Sequence, residues 1–547
     1  MKFALKKITV IVGILILISN AIGANVVTDS GKWTTVDDVE FLDSTSSRVE
    51  NLVNWSNTVS QYVNSFNNFD STEMRIVNAI PNSKATDWII DNVPMFECSD
   101  KQLEEMYYYR WWTYRKHIRN GTSGYVISEF LFNVGWAGMD NSISAAAGHH
   151  FYEGRWINNR KYLKDYANFW LKTNTAGALD YSSWIPAGLY AFFQVDGDKN
   201  IITANLTDAV VHFRRAEQKW FDASTGLYHI IPDRDAMEMP VSGTGEQYRP
   251  SINSYAYGNA IAIANMASLT GDTAIEQEFN SKAMAIKSGM IHKLWDASAG
   301  FFKVVYRGTT TFSSAREEVG FTPWYFNIPS VGNGFEIAWK QITDNNGFYA
   351  PYGPTSVERR NVDFRANAGS LAGEHECQWN GPSWPFATSQ TLVAMGNVLR
   401  NYNQVNISKS DYLSVLNGYT RSQHKDGHPW IAEDLNPLTG KWIADISWRS
   451  ESYNHSTYND LIIGGLVGIV PRSDSIIEIN PLLPDSAWDY FCLTRVLYHN
   501  LWLTIIYDKT GTHYNKGQGL LLFVNGELKV QSATLSRITW PSVTTGL

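Results

Sequence analysis

KQLEEMYYYRWWTYRKHI, residues 101–118, decides the fold. Its apolar residues fall at Leu103, Met106, Tyr107, Trp111 and Tyr114, close to the 3.6-residue period, so the stretch predicts a helix with one buried stripe. Segments of the same kind recur at 142–156, 160–171, 184–193, 204–220, 255–269, 275–294, 335–342, 384–399, 411–421 and 455–470, about eleven helices in all. Each runs into a loop rich in Gly, Pro, Asp or Asn. Strand-like runs between them, such as 301–306, are short and isolated, and the β-α-β alternation of a parallel sheet is missing. Past residue 470 the character changes. IIEINPLL (476–483), LWLTIIYD (501–508) and GLLLFVNGELKV (519–530) are β-rich, and Asn525-Gly526 is a two-residue hairpin signal. The expected architecture is mainly α. Helix pairs stack in an (α/α) toroid over 101–470 and leave a concave pocket at one end, and a small antiparallel β domain occupies 471–547. Residues 25–100 are polar and Asn/Ser-rich, with one amphipathic stretch at 49–66, and read as a lead-in segment.

Composition narrows the function. With 45 basic against 53 acidic residues the net charge is −8, which supplies no basic face for nucleic acid. Three cysteines (Cys98, Cys377, Cys492) exclude a disulfide scaffold and a Cys-based zinc framework, and permit at most one bridge. Aromatic residues reach 14%, an excess suited to stacking flat ring faces on sugars. At the N-terminus Lys2, Lys6 and Lys7 precede an apolar run at 8–18 and the small residues Ala21, Gly23 and Ala24, so 1–24 read as a secretory signal peptide. No later run of 18 apolar residues offers a membrane span. Sequons at Asn54, Asn120, Asn205, Asn406 and Asn454 fit a glycoprotein that is secreted or held in the secretory or lysosomal pathway. Glycans are expected on some of the first four, and Asn454 is expected to be buried.

The chemistry has few places to sit. The G-x-S-x-G elbow, the phosphate loop G-x-x-x-x-G-K-[ST], H-E-x-x-H and a G-x-G-x-x-G ahead of a helix are all missing. Carboxylates embedded in aromatic, Gly-rich loops remain: IPDRDAMEMPVSGTG (231–245), EHECQWNGPSWP (374–385), WIAEDLNPLTG (430–440) and SEFLFNVGWAGMD (128–140). A carboxyl in a semi-apolar loop has its pKa raised, as a general acid requires. Two carboxylates among aromatics in a bowl form the arrangement that hydrolyses a glycosidic bond. A metal reading would rest on His149, His150 and Glu153, which share a helix at spacings of three and four that allow two ligands on one face, and on His375 between Glu374 and Glu376. No third ligand is specified, so neither a metal nor a cofactor is assigned.

Three segments then resemble the clan of inverting (α/α)6-barrel glycosidases, six-hairpin enzymes that include processing α-glucosidase I, mannosylglycerate hydrolase and trehalase. RDAMEMPVS (234–242) ahead of NSYAY (253–257) stands where that clan carries its acid loop and the helix after it. WNGPSW (379–384) is similar to its Trp-Arg-Gly-Pro-Val-Trp. AEDLNPLTG (432–440) is similar to its base segment, Tyr-Glu-Tyr-Phe-Asp-Pro-x-Thr-Gly. The resemblance implies Glu433 as general base and Glu238 as general acid. Asp235 is a rival for the acid role, because the loop lacks the clan's Trp-Asp-Asn-Ser. It implies substrate contacts at Trp379, Asn380 and Trp384, at Trp136 and Asp140 in place of an early Trp-Asp segment, and at His455 near a substrate-facing helix start. The implied function is a secreted hydrolase that cleaves a terminal glycosidic bond of an oligosaccharide or glycoside by inversion. An α-L-rhamnosidase-like hydrolase and a catalytically silent carbohydrate-binding protein on the same fold are the alternatives.

Overall fold

A computed structural model describes residues 26–27, 33–34, 52–367, 377–443 and 448–541. The signal-peptide segment and Glu374, His375 and Glu376 lie outside the described residues. The chain divides into a unit ending at Asn54 and a unit running from Trp55. Of the first, a two-residue antiparallel pair, Val26–Val27 with Trp33–Thr34, is described.

The larger unit is mostly helical with a C-terminal antiparallel sheet. The helix Lys101–Lys116 begins at Asp100, whose side chain accepts from the Leu103 N–H (3.1 Å), and ends on Arg115 and Lys116, the charge polarity its dipole favours. It is buried on nearly every side, where the sequence predicts a single stripe. Trp55–Phe69 and Ala85–Asn92 cover one flank and Lys409–Ser422 another. Its inward charges are therefore satisfied within the protein. Arg110 donates to Tyr419, Gln423 and Ser456, and Lys116 pairs with Asp70 at 2.5 Å.

Ala147–Gly154 packs against Ile185–Asp196, and the latter against Pro250–Thr270. Pro250–Thr270 packs on Glu318–Phe326, then follow Pro385–Asn401 and Leu461–Val467. The series returns to its start through Glu153, whose carboxylate accepts the backbone N–H groups of Tyr458, Asn459 and Asp460 (3.0, 2.9 and 3.1 Å). The first pair comes close because residue 148 is Gly: a Cβ there would sit 2.0 Å from the Trp184 ring.

Two segments depart from the periodicity reading. Glu318–Phe326 carries Pro323 internally and forms a 3-10 helix where the sequence pattern marks no helix. The expected 455–470 helix runs only from about residue 459 to Val467: the Glu153 carboxylate accepts the 458–460 N–H groups at its first turn and Gly468, at φ 93°, ends it, which leaves His455 in a loop. In the C-terminal sheet the order is Glu527–Ser532, Gly519–Val524, Leu501–Asp508, Tyr490–Tyr498, and then Met95–Cys98 from the lead-in. The hairpin sits at Asn525-Gly526, both with positive φ (49° and 80°).

Asn454 is buried as expected, and its Nδ2 donates to the Ser128 carbonyl. Asn205 is also buried, inside the helix Lys199–Trp220 with its amide donating to Ile201, so it is not the glycan site the sequon suggests. All three cysteines are free thiols. Among the described residues no helix is long and apolar enough to cross a membrane.

Candidate active site

Four loops converge through backbone pairing. Met239–Pro240 runs parallel to Gln378–Trp379, which joins the 233–240 loop to the tryptophan loop. Ser383 and Leu435 exchange backbone hydrogen bonds (2.9 and 3.0 Å) and fasten that loop to the Glu433 segment. The N–H of Ser452 donates to the Ile431 carbonyl, and that of Asn454 to the Glu129 carbonyl, each at 2.9 Å. Between them lies a cavity of about 330 Å³ lined by Glu129, Glu238, Glu433, Trp379, Trp384 and His455, with Asp233, Arg234, Trp136 and Arg449 among its other walls.

The structure therefore brings together Glu238, Glu433, Trp136, Trp379, Trp384 and His455. It does not bring Asp235, Asp140 or Asn380 to the cavity lining. Asp235 is 1% exposed and fully engaged: Oδ1 accepts from Ser182, and Oδ2 from Ser251 and from Arg249 Nε (2.8 Å). Asp140 has φ 56° and turns back to accept from the N–H and hydroxyl of Thr122 (2.9 and 3.1 Å). Asn380 stands outside the cavity lining, and its backbone carbonyl accepts the Arg365 N–H (2.9 Å).

Burial raises the proton affinity of all three carboxyls, and the charge of Glu433 adds to it at Glu238 and Glu129. Burial, chiefly, and the charge of Glu433 push Glu238 up to about 8, against the pull of the Trp379 indole N–H. Glu129 is also pushed up to about 8, by burial and by Glu433 and Glu238. Glu433 is raised by burial, but here the Arg449 guanidinium, the Ser450 hydroxyl (3.1 Å) and Tyr453 oppose the shift. Asp434 beside it is itself buried and raised well above the usual carboxyl range, so it is Arg449 that favours the ionised form of Glu433.

Trp379 and Trp384 stack on each other (4.4 Å between centroids, 10° between planes), and Trp384 donates to the Gln378 carbonyl at 2.8 Å. Trp136 stands half-exposed at the rim with Arg449 5.2 Å over its ring. His455 is buried against Tyr453 (3.9 Å between centroids), and burial lowers its pKa well below the usual value, so it is neutral. Two residues of the metal reading are committed elsewhere: His150 bonds Tyr166 and the Asn454 carbonyl, and Glu153 caps 458–460. The described residues contain no group of three or more His, Cys, Asp or Glu placed to hold a metal ion.

Sequence reasoning assigns no role to Glu129, Tyr453, Arg449 or Arg234. Glu129 stands in a quoted carboxylate loop, and its acidity next to Phe130 is the available signal. Nothing in the sequence marks Tyr453 as its partner, since the Tyr453 hydroxyl donates to Glu129 across 324 positions.

Compared with known proteins, residues 139–456 match the mannosylglycerate hydrolase MGH1-like glycoside hydrolase domain. Residues 472–530 match the C-terminal domain of glycosyl hydrolase family 65. Among solved structures, a chain named as a sialidase superposes with TM-score 0.85 at 41% identity, over 90% of this chain and 45% of its own. This chain thus spans under half the length of that relative. A family GH78 rhamnosidase of Bacillus sp. GL1 shares the fold at TM-score 0.51 and 9% identity, over 79% of this chain and 41% of that one. The GH63 mannosylglycerate hydrolase of Thermus thermophilus in complex with glucose overlaps 52% of this chain and 75% of its own, at 13% identity and TM-score 0.41.

Proposed function

The chain belongs to the mannosylglycerate hydrolase MGH1-like glycoside hydrolases, and from that premise we propose that it cleaves a terminal glycosidic bond by inversion, with Glu238 as general acid and Glu433 as general base. The observation that carries this reading is the unequal company of two carboxyls in one cavity: Glu433 has Arg449 and Ser450 beside it, and Glu238 has its proton held by burial and by the charge of Glu433. Glu238 gives its proton to the departing glycosidic oxygen. Glu433 takes a proton from a water that attacks the anomeric carbon from the opposite face, so the C–O bond to the leaving group breaks as the bond to water forms. Afterwards the protonated Glu433 and the ionised Glu238 exchange protons with solvent, and the site is reset.

The closing series of helix contacts from 147–154 round to 458–460 supports an (α/α)6 toroid, with this cavity at one end. The lysine-flanked apolar stretch before Asn25 supports passage through the secretory pathway, with glycans on exposed Asn54 and Asn120. Intact-mass analysis of secreted protein should find the chain starting near residue 24 or 25; retention of Met1 would remove that assignment.

The catalytic assignment is tested with a panel of aryl glycosides. Glu238→Gln is expected to lose least on substrates such as dinitrophenyl glycosides, whose leaving group departs unprotonated. Equal losses on good and poor leaving groups would remove Glu238 from the acid role.

A further inference from the structure

Among the polar atoms of the residues that line the cavity, Oε2 of Glu129 and Nε2 of His455 have no hydrogen-bond partner among the described residues. Both side chains are deeply buried, at 5% and 2% exposure. An unpaired buried polar atom costs about 1–3 kcal/mol, which a ligand that pairs it returns. Oε1 of Glu129 already accepts the Tyr453 hydroxyl, so the carboxyl is fixed in orientation with Oε2 as its remaining functional atom. A sugar hydroxyl both donates and accepts, so it matches Oε2 in either protonation state and Nε2 in either tautomer.

The charges around these atoms narrow the ligand further. Glu129, Glu238, Glu433 and Asp233 share the cavity with two cations, and both cations are engaged. Arg449 lies over Trp136 and acts on Glu433. Arg234 lies over the Tyr181 ring (5.2 Å), pairs with Asp233 (3.2 Å) and is half in solvent. A sugar acid would bring a carboxylate to a site whose guanidiniums already answer its own carboxylates, Arg449 at Glu433 and Arg234 at Asp233, and an unpaired buried charge is costly.

We propose that the cavity is a subsite for an uncharged monosaccharide ring, gripped by Glu129 Oε2 and His455 Nε2, and that Glu129 is a specificity-determining residue. This rests on the hydrolase reading for its biological meaning, but not for its test. Calorimetric titration of the full chain with sugars paired by oxidation at C6 reads it directly: glucose with glucuronate, galactose with galacturonate, mannose with mannuronate. At least one neutral member should bind about tenfold or more tighter than its uronate, and N-acetylneuraminate should not compete. Glu129→Ala should weaken that binding by about tenfold or more, and Glu129→Gln, which keeps a donor and an acceptor, should recover most of it.

A uronate or N-acetylneuraminate that binds as tightly as the neutral sugars, or a folded Glu129→Ala protein with unchanged affinity, would overturn the proposal, as would no binding of any of these sugars. If Glu129→Ala does not fold, the neutral-against-acid comparison in the unaltered protein decides alone. Neutral binding without cleavage of any matching glycoside would sink the hydrolase reading and leave the subsite standing. Preferential cleavage of sialosides would do the reverse.

Discussion

Asp235 and Glu238 lie three residues apart in one loop and face opposite fates. Asp235 points behind the loop into a shell of donors, where Ser182, Arg249 and Ser251 take both of its oxygens. Glu238 points into the cavity, where its neighbours are other carboxyls and one indole N–H. The first environment stabilises a charge and fixes the backbone; the second keeps a proton on a group able to give it away. Donor supply, not position in a motif, separates the carboxyl that fixes the loop from the one that faces the cavity. Ala236, left-handed at φ 56° between them, is the residue at which the chain turns from one side to the other.

Variants of the cavity side should show the largest effect. Glu433→Gln should lower kcat by about a hundredfold to ten-thousandfold while leaving the unfolding temperature near that of the parent, because it removes the carboxyl that Arg449 and Ser450 hold toward its ionised form. Near-normal turnover would erase the distinction between the two sides. On the donor-rich side, Asp235→Asn takes from buried Arg249 its closest anion and leaves it Gln247 (2.8 Å) and the more distant Glu317 (3.9 Å). It should cost about 3–5 kcal/mol of stability in urea unfolding, with the pH profile of the remaining folded enzyme unchanged. A stable Asp235→Asn protein with altered pH dependence would make Asp235 the acid after all.

A smaller effect follows from linkage. Glu238 binds its proton more tightly in the folded chain, at about 8, than at the ordinary 4.5. Its contribution to stability is therefore full below about 4.5 and is lost as the pH rises toward 8. Melting temperatures recorded across that window should fall, and Glu238→Gln should flatten the fall; an unchanged slope would place Glu238 in solvent. The least effect is expected at the rim, where half-exposed Trp136→Ala should raise KM by about threefold to tenfold with kcat nearly unchanged.

The same contrast explains what is legible in the sequence. The 3.6-residue pattern locates helices such as Pro250–Thr270, and Asn525-Gly526 locates its hairpin, because those signals are local. Glu433, Trp379 and Trp384 are found through resemblance of contiguous segments. What escapes depends on long-range pairing. The 455–470 helix is overextended by periodicity because Glu153, some 300 positions earlier, caps its start at 458–460 and the left-handed Gly468 ends it. Glu129 goes unassigned because its meaning lies in Tyr453, and Asp140 receives a role that its bond to Thr122 prevents. The lead-in segment reads as polar, yet Met95–Cys98 supplies an edge strand of the C-terminal sheet, a pairing with partners almost 400 positions away.

The most direct test of the central claim is proton NMR of the first turnover on a cleaved glycoside, reading the anomeric configuration of the sugar as it is released and before mutarotation. With Glu433 activating water across the ring from Glu238, the new hemiacetal should carry the configuration opposite to the substrate's. A product that keeps the substrate's configuration would mean that a carboxylate attacks the sugar directly, and would contradict the roles given to both residues.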